Sequence, residues 1–182
     1  MSAADATGVF LDSIVKNFQA QKRLAERAFM QLTDEQLRTP LDANTNSVAV
    51  IMKHMAGNLR SRFADFLTSD GEKPDRDRDG EFVDTFPSRD AMMEHWERGW
   101  RVLFDTLASL RPEDLTKSVT IRGEPHSVID ALHRALAHQG YHVGQIVQLS
   151  RHLANDRWNT ITIPRGGSVP FNQQKLSEQR NP

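Results

Sequence analysis

The chain predicts an all-α fold, a four-helix bundle, on three observations. Four long stretches repeat their apolar residues at helical period. Capping residues or prolines stand at several of the predicted ends. The connections are uneven in length, and only one short segment alternates at period two. At 182 residues the chain fits one domain with a real core. That domain is expected over residues 1–172, with 173–182 a mobile polar tail.

The first helix is expected from Thr7 to Leu32, with Val9, Phe10, Ile14, Phe18, Leu24, Ala28 and Leu32 on its apolar face. Thr33-Asp34-Glu35-Gln36 has the capping-box pattern and opens a short extra turn. A polar connector runs from Thr39 to Asn46. The second helix is expected from Ser47 to Thr68. Its core stripe is Val48, Met52, Met55, Leu59, Phe63 and Phe66, and His54, Asn58 and Arg62 form the adjacent row. His54 is therefore placed at the border of the core.

A long charged loop, Ser69 to Pro87, follows. Gly71, Pro74 and Gly80 break any period, and its length marks it as a disordered tip or as the border of a site. Ser88 caps the third helix, which runs to Leu110. Trp96 and Trp100 invite comparison with an aromatic ligand box, but their helical spacing favours the core. Lys117 to His126 alternates around Gly123 and is read as a short hairpin. Ser127 and Asp130 open the fourth helix, whose inward side carries His138 and His142. Beyond Asn155 lies a tail with Trp158, Ile161, Ile163, Val169 and Phe171, apolar enough to be ordered.

Several function classes drop out. The formal charge is −1, so no nucleic-acid partner is expected. No apolar run is long enough to cross a membrane, and no signal-peptide pattern opens the chain. The cytoplasm is the default compartment. There is no cysteine, hence no disulfide, thiolate ligand or cysteine nucleophile. No phosphate-binding loop or nucleophile elbow is present. Gly166-Gly167-Ser168 is read as a turn rather than an anion nest.

His138 and His142 carry the chemistry. Side chains four residues apart share one helix face. A single inward histidine usually bonds a backbone carbonyl or a carboxylate. Two at this spacing leave more ring nitrogens than a helix interior satisfies, and a metal ion takes one from each ring. His54 offers the third ligand. Three histidines with a vacant position suit a catalytic metal. His95, His126, His133 and His152 are read as structural or solvated, with His126 in a loop. The spacing is also that of His-Glu-x-x-His metalloproteases, but Gln139 stands where the glutamate would be and cannot act as a base.

Asn58, Arg62 and Gln145 are expected to orient substrate or ligands near the metal, against the alternative of a solvated polar row. Arg165, on a tail folding back over the pocket, is expected to face an anionic substrate. The competing reading makes that tail a dimer arm.

The stretches IMKHMAGNLRSRF and HQGYHVGQIVQL, with this helix order, resemble the DinB/YfiT-like family of bacterial metal-binding proteins over nearly the whole chain. FLTSDGEKPDRDRDGEF and ITIPRGGSVPFN are similar to one uncharacterised branch of it. The resemblance implies an up-down four-helix bundle, often a homodimer, with zinc, nickel or a similar divalent ion on His54, His138 and His142. It further implies a small-molecule substrate and a thiol-dependent S-transferase using an exogenous low-molecular-weight thiol. The alternatives are a metal-dependent hydrolase and a non-enzymatic, stress-related metal-binding bundle. No catalytic residue beyond the metal ligands is assigned.

Overall fold

Six α-helices and one small hairpin account for most of the described chain, residues 3–180 of a computed structural model. The first, α1 (Ala3–Phe29), buries Ile14, Phe18, Ala25, Ala28 and Phe29. Thr33 then caps α2 (Asp34–Arg38): its hydroxyl accepts from the Gln36 amide, and the Gln36 side chain accepts from the Thr33 amide. This is the extra turn that the capping box predicts.

Ser47 caps α3 (Val48–Phe63). It ends five residues before the expected Thr68, with Asp65 in the left-handed region at φ 48°. The reversal returns Phe66 to the core, where its ring lies 5.1 Å from that of Phe63. Thr106 Oγ1 donates to the Phe63 carbonyl at 2.9 Å, satisfying one acceptor left open by the helix end.

Ser88 caps α4 (Arg89–Ser109), whose Trp96 and Trp100 are fully buried in the core. The hairpin β1 (Ser118–Ile121) and β2 (Glu124–Ser127) turns through Arg122 and Gly123, both at positive φ. His126 is therefore on a strand rather than in a loop, and its ring bonds Asp130 at 2.5 Å. Ser127 caps α5 (Val128–Ala154).

The four long helices share one apolar core. Its packing pairs α3 with α4 and α1 with α5, and lighter α3–α5 and α1–α4 contacts complete it. The α3–α5 contact is the one that matters for the histidines, because His54 is on α3 and the other two are on α5. No helix among the described residues is long and apolar enough to cross a membrane.

The tail departs from expectation. Residues 168–180 form a helix, α6 (Ser168–Arg180), where a mobile segment was expected from 173; residues 181–182 lie outside the described ones. From Ser168 to Glu178 every residue of α6 is exposed. The stretch before it docks at the end of α1, with Ile161 buried. The Asn159 amide donates to Gln31 Oε1 at 2.7 Å, and Gln31 Nε2 returns a bond to the Asn159 carbonyl at 3.1 Å.

Candidate metal centre and its cavity

Helical phase brings the three imidazoles together. His138 and His142 are one turn apart on α5, and His54 approaches from α3. His138 Nε2 lies 3.3 Å from His54 Nε2 and 3.2 Å from His142 Nε2. All three ligand atoms fall within 4.8 Å of one another. A tetrahedral ion with bonds of about 2.0–2.1 Å would set its ligand nitrogens about 3.3–3.4 Å apart. The two closest separations match that edge.

The opposite ring nitrogens explain which atoms face inward. His54 Nδ1 bonds Glu81 Oε2 at 2.9 Å, and His142 Nδ1 bonds Gln145 Oε1 at 2.8 Å. An acceptor on Nδ1 holds the proton there and leaves the Nε2 lone pair for the centre. The two rings on α5 are also kept neutral. Burial, then the neighbouring His142 and His54, push His138 down to about 3. Burial lowers His142 as well, against the opposing bond from Gln145. Three inward Nε2 atoms are the donor set that a divalent cation needs.

Glu81 is the residue sequence reasoning missed. It is buried, and its burial opposes its charge, yet His54 and Arg76 together hold its carboxyl below the ordinary value. Arg76 binds it with both Nε and Nη2, each at 2.8 Å. The loop expected to border a site thus supplies the support of the first ligand. Lys53 pins that loop by donating to the carbonyls of Gly80 and Val83, each at 2.8 Å. Phe82 stacks on His54 with ring centres 4.8 Å apart.

Gly57 makes room for this support. A Cβ there would collide with the Glu81 carboxylate, 2.7 Å from its Cδ. Two predictions follow the geometry. Glu81→Gln should lower metal affinity about 10–100-fold, the usual cost of losing such an outer partner. Gly57→Ala should do the same by displacing the carboxylate, with little loss of thermal stability, since only a side-chain end has to move. Competition titrations with a chromophoric chelator read both, and unchanged affinity in Glu81→Gln removes its assigned role.

A cavity of about 240 Å³ opens beside His54 and His138. Asn58 and Arg62 line it, and Gln145 stands behind His142 instead. Arg165 is a correction. It is exposed on the tail and lines no part of the cavity. The tail docks at the end of α1 through the paired Gln31–Asn159 bonds, and none of its described residues lines the cavity, so it does not close the pocket. A chain ending at residue 164 should keep full metal occupancy. Metal loss on that truncation, measured by elemental analysis, would restore a role for the tail.

Gln139, at the position of the protease glutamate, is fully buried in the core and not in the cavity wall. His95 packs against Phe86 and bonds the Lys53 carbonyl at 3.4 Å, and His133 is exposed with its ring edge on Phe10. Neither belongs to the cluster.

The family's profile matches residues 5–167, and its description is Protein of unknown function (DUF1572). The chain belongs to that family. No curated protein and no solved structure matches it significantly. A three-histidine group able to hold a divalent metal, in a mostly helical fold, is therefore what structure and family together establish.

Proposed function

We propose that this protein is a DinB/YfiT-like metal-dependent enzyme of the four-helix-bundle type, and that it transfers a low-molecular-weight thiol to an electrophile. The observation that carries the reading is three convergent Nε2 atoms, with His54 and His138 on the wall of a cavity that no carboxylate lines among the described residues. His54, His138 and His142 would hold zinc, nickel or a similar ion. Bound there, the ion supplies an electrostatic pull that lowers the pKa of an exogenous thiol.

The chain's own residues fit that chemistry better than hydrolysis. A thiol with a lowered pKa needs no general base. Water usually does, and Glu81 is committed to His54 and Arg76 while Gln139 points into the core. Phe63, Phe66 and Ile121 exclude water from one wall. Asn58 and Arg62 would orient the substrate, and Gln145 holds His142 in its ligating tautomer.

The test uses untagged protein, metal-analysed and then reloaded with zinc or nickel. It is assayed with an aryl halide and a panel of thiols: glutathione, cysteine, bacillithiol and mycothiol. The expected result is thiol consumption that depends on both metal and His138. Hydrolysis of a p-nitrophenyl ester at the same site, with no thiol turnover, would replace this reading with the hydrolase. A metal whose removal melts the fold, with neither activity, would make it structural.

A further inference from the structure

The wall of the cavity carries chemistry that the metal centre does not use. From it we infer that the ligand taken beside the histidines is an organic oxyanion, a carboxylate or phosphate on an apolar body. This rests on the proposed metal site only for which end of the ligand reacts.

Among the described residues, five guanidinium groups line the cavity, from Arg62, Arg76, Arg78, Arg122 and Arg134, and no acidic side chain does. Three of the five have duties behind the wall. Arg62 donates to the Gly71 carbonyl at 2.5 Å and pairs with Glu72 at 3.3 Å. Arg122 Nε pairs with Glu72 at 3.0 Å, and Arg76 holds Glu81. Two glutamates thus serve three arginines. Asp70 sits nearby as a third carboxylate, held in its charged form by the backbone amides of Glu72, Arg122 and Gly123, so three carboxylates stand against five guanidinium groups.

Arg78 and Arg134 are different. Both are exposed, and among the described residues neither side chain has a hydrogen bond or an ion pair. They come from separate elements, Arg78 from the loop after α3 and Arg134 from α5. The cavity between them therefore holds a surplus of positive charge beside low-dielectric walls, where a field is focused rather than screened. Burial and the like charges of Arg76 and Arg122 already push the Arg62 guanidinium below its ordinary value. An entering anion relieves that repulsion, and an entering cation worsens it.

The rest of the wall selects the body of the ligand. Phe63, Phe66, Ile121, Ala131 and Ala135 are apolar, with Asn58 and Thr120 as neutral polar points. The wall is also rigid on the hairpin side. Arg122 is held at φ 56° by the two-oxygen grip of Asp70 on the turn, and the Gly71 amide donates to the Thr120 carbonyl at 2.8 Å. Arginine forks recognise carboxylates and phosphates by paired hydrogen bonds, which lysines do not offer.

Calorimetric titration of zinc-loaded and metal-free protein tests this with four small probes: phenylacetate, phenyl phosphate, 2-phenylethanol and phenethylamine. At least one anion should bind ten times more tightly than the alcohol, with the amine weakest. The preferred anion tells carboxylate from phosphate. In the double variant Arg78→Gln/Arg134→Gln that anion should weaken at least tenfold, with zinc content unchanged. The inference is overturned if neither anion binds, if the alcohol binds as well as the anions, or if the double variant keeps wild-type affinity. Zinc content is measured in parallel. Arginine-dependent anion binding in a protein that takes no metal would sink the metal reading and leave this one standing. A zinc-binding protein without anion selectivity would do the reverse.

Discussion

His138→Ala should empty the metal centre, taking bound zinc or nickel from about one ion per chain to less than about a tenth. His138 is the middle member of the cluster, with its Nε2 at 3.3 and 3.2 Å from its two partners. Without it only two ligand nitrogens remain, on His54 and His142 with ring centres 4.9 Å apart, too few to close the site. The fold should not suffer. In the metal-free protein the His138 Nδ1 atom is buried without a hydrogen-bond partner among the described residues. Removing an unsatisfied polar atom lifts a penalty of about 1–3 kcal/mol, and alanine is the best helix former. The metal-free variant should therefore be as stable as the metal-free parent, or more so. Zinc should separate the two proteins. At a hundred times its dissociation constant, a ligand stabilises its binder by about 2.7 kcal/mol, so the parent should melt later with zinc and the variant should not. Elemental analysis of untagged protein with thermal melts reads both effects. Full occupancy in the variant would reject the assignment of His138 as a ligand.

The parts of the site that were legible in the sequence are those that helical phase alone fixes. His138 and His142 share a face whatever the rest of the chain does, and the position of His54 beside the stripe of Met55, Leu59 and Phe63 places it at the edge of the core. Asn58 and Arg62 follow from the same row, and the structure sets both on the cavity wall. Glu81 was illegible for a physical reason. It lies in a run of alternating charges that reads like any solvated loop, and its burial depends on anchors remote in sequence. Lys53 must reach the Gly80 carbonyl, Arg76 must fold back onto the carboxylate, and Gly57 must lack a side chain. None of these has a period. The tail shows the converse limit. Its apolar residues argued correctly that part of it docks, since Ile161 is buried. Where it docks depends on which surface offers a complementary patch, and Gln31 at the end of α1 offers paired hydrogen bonds that the cavity mouth does not. Arg165 was misplaced with it.

Two glycine-to-alanine changes should move stability in opposite directions, and the contrast tests how α3 is held against its neighbours. Gly99 is buried on α4 where that helix meets α3. A Cβ there would lie 2.6 Å from Ala56 Cα and 2.8 Å from the Ala56 carbonyl oxygen. These are backbone atoms, so no rotamer change relieves the clash, and the two helices must part. Overpacking of this kind costs about 1–3 kcal/mol, and more when backbones shift. Alanine returns up to about 1 kcal/mol of helix propensity, so Gly99→Ala should lose about 1–2 kcal/mol and Gly99→Val should lose more. Gly144, exposed on α5, has nothing within 4 Å of its would-be Cβ. Gly144→Ala keeps the propensity gain with no clash and should stabilise by about 0.5–1 kcal/mol. The Gly99 changes should also weaken metal binding, because α3 carries His54 and parting α3 from α4 shifts it relative to α5. Gly144→Ala should leave metal affinity unchanged. Urea titrations of metal-free protein give the stabilities, and chelator competition gives the affinities. A neutral Gly99→Ala would mean that the α3–α4 contact yields readily. In that case the position of His54 would have to be fixed from the other side, by Glu81 and the loop that carries it.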